Sequence, residues 1–490
     1  MKKFREFVPL VLYVIAATGI RLLLLLLRSQ PSSEEVWALF LVAAPFKTIW
    51  FATFADLHGP FYFLLLRLLK LIWPFDFTVF SLRLISFFFD LLATFGVWYL
   101  GRFVLGKRVG RISFVVSLFL PAFIWPSVFA RYYPLLILLF IVSMVLFIHF
   151  LRFEKNKSLL ALLLCLVVGM YTHYYFALVI ASFGIFLLLS NKYRHLFIRW
   201  FIAMLIVVLM FAPGLYYFLT LPKPTLIDRH ENSWLKIPAI ITTNIMSSET
   251  LIFLFFRGNR WVYLPVIAIL TLLTVAFVVQ GLLTWKNELR KLFTVVLIVP
   301  PLITILFAYT VAPLLSLGSL QIFMPALIIV LAQAIAQDGK KILTLVFAAT
   351  VFCSLVFLFQ TSIWFYAKPR KDFTNFIRLY KAGDIVLHTH LGSFFLASYY
   401  VGKNVNFEIE HGNTATAQTA AGVDFRPISD QQLFSHVGGI WYFEPPFIDP
   451  VQSANIKSKL SAKFTLVHTE KFPRSEAAEQ ETFYTVYYYK

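Results

Sequence analysis

The chain has 490 residues, of which 60% are hydrophobic and only 14% are charged. Soluble globular proteins are about 45–50% apolar and about 25% charged, so this composition excludes a water-soluble protein and indicates an integral membrane protein. The two cysteines, Cys165 and Cys353, lie in apolar runs, which argues against a disulfide framework or a cysteine-based metal site.

Eleven apolar segments are predicted to be membrane-spanning helices, because a span needs about 20 apolar residues. They are residues 7–27, 78–105, 111–127, 133–151, 158–172, 175–190, 199–219, 262–285, 292–311, 320–337 and 342–366. The segment 60–73 is shorter and contains Arg67 and Lys70, so we interpret it as an amphipathic helix on the membrane surface. Arg21 and Arg83 lie inside predicted spans, and we expect their side chains to snorkel toward the surface.

The net charge of +19 is concentrated in the membrane region of the chain. Residues 367–490 hold 13 Lys/Arg and 12 Asp/Glu, which leaves +18 in residues 1–366, mostly in short loops. The positive-inside rule places those loops and the N-terminus in the cytoplasm. The loops 28–77 and 220–261 and the C-terminal region are then extracytoplasmic, in a multi-pass protein of the cytoplasmic (inner) membrane. The charge therefore indicates topology and does not predict a nucleic-acid partner.

The C-terminal region, residues 367–490, has a different pattern and is predicted to form a small extracytoplasmic α/β domain. Short apolar strands are predicted at 384–389, 439–443, 464–469 and 482–489. Amphipathic helices are predicted at 373–381 and 449–460. The fold class is thus a polytopic helical membrane protein of about eleven spans, residues 1–366, followed by this domain.

Four polar clusters fall at the predicted outer ends of the spans, where polar side chains are costly and each needs an explanation. They are Glu34-Glu35, Asp56 with His58, Arg131-Tyr132, and His173-Tyr174. The predicted topology brings all four clusters to one face of the membrane.

Each cluster also has a structural interpretation. Glu34 and Glu35 fit an exposed first helical turn capped by Ser32 or Ser33. His173 fits an interfacial histidine that bonds the backbone, and Arg131 fits a non-specific anchor for lipid phosphate. Asp56 and His58 fit a turn before Pro60.

The order of these motifs resembles a known superfamily. Glu34-Glu35-Val-Trp, followed by Asp56-Leu-His58-Gly-Pro60-Phe-Tyr62, is similar to the first outer loop of the GT-C glycosyltransferases. The nearest branch is that of protein O-mannosyltransferases and lipid A aminoarabinose transferase. The similarity continues through Ser127-Val-Phe-Ala-Arg131-Tyr-Tyr and Tyr171-Thr-His173-Tyr.

Four departures from the family pattern stand out. Glu34 replaces a leading Asp, and Gly59 interrupts a His-Pro-Pro sequence. Phe129 replaces a Glu that often precedes Ala-Arg, and Gln321-Ile322 replaces an Arg-Tyr pair before a late span. These changes leave the fold assignment intact and affect the expected sugar and metal use.

The resemblance implies an inverting glycosyltransferase of the cell envelope whose donor is a polyprenyl-phosphate-linked sugar and whose acceptor is a protein, lipid or glycan. Glu34 is the expected catalytic base, and Arg131 with Tyr132 would stabilise the phosphate. The other expected substrate-binding residues are Glu35, Asp56, His58, His173 and Tyr174. Asp56, His58 and His173 would either orient the phosphate or hold a divalent metal ion. The alternatives are a transporter or flippase of lipid-linked sugar, and a non-catalytic GT-C-like binding protein.

Overall fold

A computed structural model of the chain describes residues 2–28, 31–55, 58–220, 260–310, 320–337, 342–362, 376–389, 391–409, 426–445, 448, 450–473 and 482–490. The region before residue 363 is helical, and the region after residue 375 combines a sheet with short helices. The loop predicted at 220–261 and the predicted domain boundary at 366/367 fall almost entirely outside these residues.

All eleven segments predicted as spans contain helix. Helices α1 to α15 are, in chain order, Lys2–Leu27, Ser33–Ala43, Phe46–Ala55, Phe61–Ile72, Val79–Leu105, Lys107–Phe119, Pro121–Ile124, Tyr133–Phe153, Asn156–Thr172, Phe176–Leu189, Phe197–Thr220, Arg260–Leu283, Leu289–Thr310, Met324–Gln337 and Ile342–Ser362. Short 3₁₀ turns lie at Trp125–Val128, Arg194–Leu196 and Gln321–Phe323.

Length and composition of the described helices give four that are able to cross a membrane, or five if the bent pair α6 and α7 with its 3₁₀ turn is one span. Further apolar helices such as α9, α10 and α14 are shorter. Large apolar side chains on α1 and α11, including Leu26, Leu209 and Leu219, are exposed on the outside of the bundle, as expected for lipid-facing helices. The number eleven itself stays a prediction.

Segment 60–73 contains helix α4, which is too short to cross a membrane. It has 12 residues, about 18 Å of helix, whereas the hydrocarbon core is about 30 Å thick. Its buried residues Tyr62, Phe63 and Leu66 face the core, and Arg67 donates to the carbonyl oxygens of Val42 and Ala44 at the end of α2. Helix α4 therefore supports α2 from the side.

The bend between α6 and α7 lies where Arg21 contacts the chain. The two helices meet at 70° at Pro121, which begins α7. Arg21 donates from Nε to Asp90 Oδ2 at 2.7 Å and from Nη1 to the carbonyl oxygen of Leu118 at 2.7 Å, at the end of α6. The expectation that Arg21 snorkels is wrong, because a buried carboxylate and orphan helix-end carbonyls provide its partners inside the protein.

The tail forms a six-stranded sheet with the order β3-β2-β1-β4-β6-β5. Strands β1 to β6 are Ile385–His388, Asn406–Glu408, Arg426–Pro427, Ile440–Glu444, Leu466–Pro473 and Thr482–Tyr489. The first four are parallel, and β6 and β5 add antiparallel strands at one edge. Helices α16 to α18 are Leu391–Val401, Asp430–Ser435 and Pro450–Ser461.

The four predicted strands and the helix predicted at 449–460 are confirmed. The helix predicted at 373–381 falls partly outside the described residues. Strands β2 and β3 were not expected from the sequence pattern, because they have only three and two residues. Helix α16 was not expected either.

The sheet domain packs directly on the first loop of the helical region. Helix α16 contacts α2, with the rings of Phe395 and Phe40 6.0 Å apart. Residues of both regions, such as Leu41, Phe395 and Trp441, belong to one continuous apolar core. The tail and the loop that carries Glu34 and Glu35 therefore lie on the same side of the helix bundle.

Candidate functional site

The start of α2 fixes the two adjacent glutamates. Ser32 accepts a hydrogen bond from the Glu35 N–H, and the Glu35 carboxylate accepts one from the Ser32 N–H, which together form a capping box. The predicted serine cap is thus present. Of the two acidic residues only Glu34 is open to solvent, with 53% of its side chain exposed, whereas Glu35 is fully buried.

Glu35 is held on every side by donors. Arg83 donates from Nε at 2.7 Å and from Nη2 at 2.8 Å, one to each carboxylate oxygen. The backbone N–H of Ala130 donates to Oε1 at 3.1 Å. Burial alone would raise the pKa of Glu35, but the charge and hydrogen bonds of Arg83, with smaller contributions from Arg28 and Ser32, outweigh it and lower the pKa to about 2.

Arg83 is a positioning residue that the sequence analysis misread. Its guanidinium is buried against Glu35 and also donates to the carbonyl oxygen of Arg28. The expectation that Arg83 snorkels is therefore wrong, because Glu35 offers a bidentate partner at the same depth. The Glu35–Arg83 pair joins α2 to α5, and through Ala130 it also fixes the loop before α8.

Glu34 forms a second ion pair one residue earlier. Arg131 donates to Glu34 Oε2 from Nε at 3.0 Å and also from Nη2. Only 8% of the Arg131 side chain is exposed, and its Nη1 is buried with no hydrogen-bond partner in the described residues of the chain. This pair is asymmetric, because the carboxylate faces outward and the guanidinium keeps one donor group unused.

Three aromatic rings from different segments meet beside this pair. The rings of His58 and Tyr132 are 5.2 Å apart, those of His58 and His173 are 5.6 Å apart, and those of Tyr132 and His173 are 4.9 Å apart. Tyr174 stacks on His173 at 4.4 Å. Three of the predicted clusters are therefore in direct contact, and the Arg131–Glu34 pair connects the fourth.

His173 is neutral in this environment. Burial lowers the pKa of His173 well below 6.5, and the neighbouring charges of His58 and Arg131 lower it further. Its Nδ1 accepts a hydrogen bond from the Tyr175 N–H at 3.2 Å. The ring proton of the neutral form is therefore on Nε2, which makes that nitrogen a hydrogen-bond donor.

Gly59 explains why His58 comes so close to His173. A Cβ atom at position 59 would overlap the carbonyl group of Tyr171. The absence of a side chain lets the loop before α4 lie directly on the backbone at the end of α9. The departure from the His-Pro-Pro pattern is thus a packing requirement in this chain.

Phe129, the departure from an acidic residue, lies within cation–π distance of two guanidinium groups. The guanidinium carbon of Arg28 is 5.2 Å from the centre of the Phe129 ring, and that of Arg131 is 5.9 Å away. An aromatic face attracts both cations without neutralising them. The described site therefore contains three arginines, Arg28, Arg83 and Arg131, against two carboxylates, which favours an anionic ligand.

Asp56 lies outside the described residues, so its position relative to the other predicted residues stays untested. Within the described residues, no three His, Cys, Asp or Glu side chains are grouped in a way that would hold a metal ion. His173 does not fit as a metal ligand in its present orientation, because Nδ1 accepts from the backbone and Nε2 carries the proton.

Sequence reasoning missed several residues that shape the site. Arg83, Arg28 and Tyr62 contribute an ion pair, a cation–π contact and a hydroxyl group 3.3 Å from Ser86 Oγ. The available signal was Arg83 inside an apolar span, since ionisable residues at such positions usually face a partner in the bundle.

Comparison with known proteins supports the resemblance noted in the sequence. Residues 57–217 match the dolichyl-phosphate-mannose-protein mannosyltransferase family. No curated protein matches the whole-chain sequence search. The family match includes His58, Arg131 and His173.

Two solved structures have the same fold over nearly the full length. ArnT from Cupriavidus metallidurans in the apo state is 11% identical, with a TM-score of 0.60, and the match covers 99% of this chain and 98% of ArnT. ArnT bound to undecaprenyl phosphate is 10% identical, with a TM-score of 0.59, and the match covers 98% and 97%. The resemblance to the GT-C superfamily is therefore confirmed, and at this identity the likeness to ArnT establishes the fold.

Proposed function

Because the chain has a GT-C fold and matches a mannosyltransferase family over residues 57–217, we propose that it is an inverting glycosyltransferase. It moves a sugar from a polyprenyl-phosphate donor to an acceptor hydroxyl at the outer face of the cytoplasmic membrane. The observation that carries this proposal is the Glu34–Arg131 pair, an outward-facing carboxylate beside a buried guanidinium with an unused donor.

Glu34 is the catalytic base. The acceptor oxygen attacks the anomeric carbon of the sugar, the bond from that carbon to the phosphate oxygen breaks, and the acceptor proton passes to the Glu34 carboxylate. Its exposure lets an acceptor approach, while Arg131 fixes the orientation of the carboxylate. A positioned general base of this kind contributes about 10²–10⁴-fold to a rate.

Arg131 stabilises the departing phosphate. Its Nη1 is the donor left over after the two bonds to Glu34, and a phosphate oxygen is the natural partner for a guanidinium edge. The Nε2–H of His173 provides a second donor nearby, since the His173 ring stacks against Tyr132. Negative charge that develops on the leaving phosphate is then stabilised by groups already in place.

Glu35 acts as a positioning residue in this proposal. The predicted substrate-binding role does not fit its full burial, since Arg83, Ala130 and Ser32 already donate to its carboxylate. By holding the Ala130 N–H, Glu35 sets the place of Arg131 in the next residue. His58, Tyr132 and Tyr174 form the wall of the site.

The outer location rests on the charge distribution. The tail and the site lie on the same side of the bundle, as the Phe40–Phe395 contact shows, and the basic loops are predicted on the cytoplasmic side. The helical region, residues 1–366, is thus the proposed catalytic domain, and residues 367–490 form a proposed extracytoplasmic domain that covers it. The same topology predicts membrane lipids around the bundle and an acceptor in the cell envelope.

The proposal is tested by transfer of radiolabelled sugar from undecaprenyl-phosphate donors in proteoliposomes. The acceptors offered are lipid A, a serine/threonine-rich peptide and an oligosaccharide. Wild-type protein is compared with Glu34→Gln and with Glu154→Gln, a partly exposed glutamate that pairs with His195 away from the site. We expect transfer to fall only in Glu34→Gln. Undiminished transfer in that variant would rule out Glu34 as the base.

The same proteoliposomes distinguish the alternatives. A flippase would move the labelled donor across the bilayer without forming a new glycosidic bond. A non-catalytic binding protein would bind the donor and give neither transfer nor movement. Either result in the wild-type protein would overturn the proposed function.

A further inference from the structure

Gln321 is a buried amide with no partner for either of its polar atoms. It begins the 3₁₀ turn Gln321–Phe323, and only 1% of the residue is exposed. Neither Nε2 nor Oε1 has a hydrogen-bond partner among the residues that the structure describes. Unsatisfied polar atoms at this depth are rare and costly, so they indicate a partner that binds there.

The turn lies beside the helix that starts at the candidate site. It packs against α8, and the ring of Phe323 is 5.5 Å from that of Phe140. Phe140 follows Tyr133, the first residue of α8, by about two helical turns, or about 10 Å. Because α8 begins directly after Arg131 and Tyr132, the turn that carries Gln321 packs on the same helix that starts at the ion pair.

The chemistry of the amide selects the kind of ligand. Nε2 donates and Oε1 accepts, so the missing partner must be able to do both. An unprotonated phosphate oxygen only accepts, and a polyprenyl chain does neither. A sugar hydroxyl does both, and it belongs to the portion of the donor that adjoins the phosphate.

We propose that Gln321 binds a hydroxyl group of the transferred sugar and thereby determines which sugars are accepted. This inference rests on the proposed function, since it requires a sugar next to the phosphate. A hydroxyl that fits the amide satisfies both atoms, whereas a sugar without it leaves them buried and unpaired. Discrimination of that kind is strong, because the wrong substrate incurs the cost of unpaired groups.

The variant Gln321→Leu tests this without depending on turnover. Leucine is apolar and of similar size, so it removes the two unpartnered atoms and we expect the free protein to melt at the same temperature or higher. The matched control is Gln333→Leu, a buried glutamine farther along α14. Both variants are purified in full length and compared with the wild type.

The measurement is the dissociation constant for undecaprenyl phosphate alone and for undecaprenyl phosphate carrying mannose, glucose, galactose or 4-amino-4-deoxyarabinose. We expect Gln321→Leu to bind undecaprenyl phosphate as the wild type does and to lose about tenfold in affinity for at least one sugar-bearing donor, the loss of one good hydrogen bond. Gln333→Leu should bind all five lipids like the wild type.

Two results would overturn the inference. Equal loss for the bare lipid and all four sugar donors would show a general packing effect. No loss for any lipid would show that a resident water satisfies the amide. The proposed function fails differently, through a wild-type protein that binds the donors and transfers none of their sugars.

Discussion

Two ion pairs that start from adjacent glutamates differ in their partners and in their exposure to solvent. Glu35 and Arg83 are both buried, meet through two parallel hydrogen bonds, and leave no oxygen of the carboxylate without a donor. Glu34 and Arg131 share only one carboxylate oxygen, and Glu34 is half exposed. Successive residues on a helix point about 100° apart, so α2 presents one glutamate to the core and the other to the site.

The two glutamates therefore have different roles. A saturated buried pair fixes the geometry of three segments, because removing one partner leaves the other charge unpaired. An unsaturated pair at the surface can exchange partners with a ligand. Mutation of the two pairs should therefore have different effects.

The largest expected effect is the loss of transfer in Glu34→Gln. The amide retains the size of the carboxylate but cannot take the acceptor proton, so the rate should fall by about 10²–10⁴-fold. The melting temperature should fall less than in Glu35→Gln, since the Glu34 side chain is half exposed and its amide oxygen can still accept a hydrogen bond from buried Arg131. Comparison of initial transfer rates with melting curves of the same preparations separates the two effects.

Glu35→Gln should give the opposite result. It removes the charge that balances buried Arg83, and we expect about 3–5 kcal/mol of destabilisation. Unfolding in detergent measures this. The double variant Glu35→Leu/Arg83→Leu should be more stable than Glu35→Gln, because it leaves no unpaired charge. A Glu35→Gln protein of wild-type stability would contradict the structural role.

Acid should destabilise the protein through protonation of Glu35. The pKa of Glu35 is lowered from 4.5 to about 2 in the folded protein, so folding favours the charged form. The corresponding stability, on the order of 3 kcal/mol, is complete above about pH 5 and is lost as the pH falls toward 2. Melting curves between pH 6 and pH 3 should show this slope, and Glu35→Gln should reduce it.

Gly59→Ala should destabilise the contact between His58 and His173. The added Cβ overlaps the Tyr171 carbonyl, so the loop with His58 must move away from His173, at a cost of about 1–3 kcal/mol. Gly19→Ala is the matched control, because a Cβ there meets nothing within 4 Å. Equal free energies of unfolding for the two variants would show that the His58–His173 contact does not depend on Gly59.

Phe129→Leu should have the smallest effect. Leucine can keep an apolar contact with Trp125 but loses the aromatic ring that Arg28 and Arg131 both contact. A cation–π contact contributes about 0.5–2 kcal/mol, so we expect donor affinity to change several-fold. A wild-type dissociation constant for undecaprenyl phosphate would show that Phe129 does not place either arginine.

The helices and the main strands were predictable because their signals are local. Each of the eleven apolar runs of about 20 residues predicted as a span contains helix, and alternation of apolar residues identified β6 at its observed bounds, Thr482–Tyr489. Strands β2 and β3 are short and are held by their neighbours in the sheet, so no local sequence pattern predicts them.

The site was predictable only to a limited extent. Topology placed Glu34, His58, Arg131 and His173 on one face, and their contacts agree with it. The resemblance made Glu34 the expected base and Glu35 a substrate-binding residue, but the sequence did not show that Glu35 is buried and paired, since its partner Arg83 is 48 residues away. It also misplaced Arg21 and Arg83, because snorkelling and pairing look identical until the partner carboxylates are located.

The most direct test of the central claim is a structure of the full chain with undecaprenyl phosphate bound. Our account predicts a phosphate oxygen about 3 Å from Arg131 Nη1, with His173 Nε2 directed at the same phosphate and the Glu35–Arg83 pair unchanged. A phosphate bound away from Arg131, with Nη1 still unpartnered, would contradict the account.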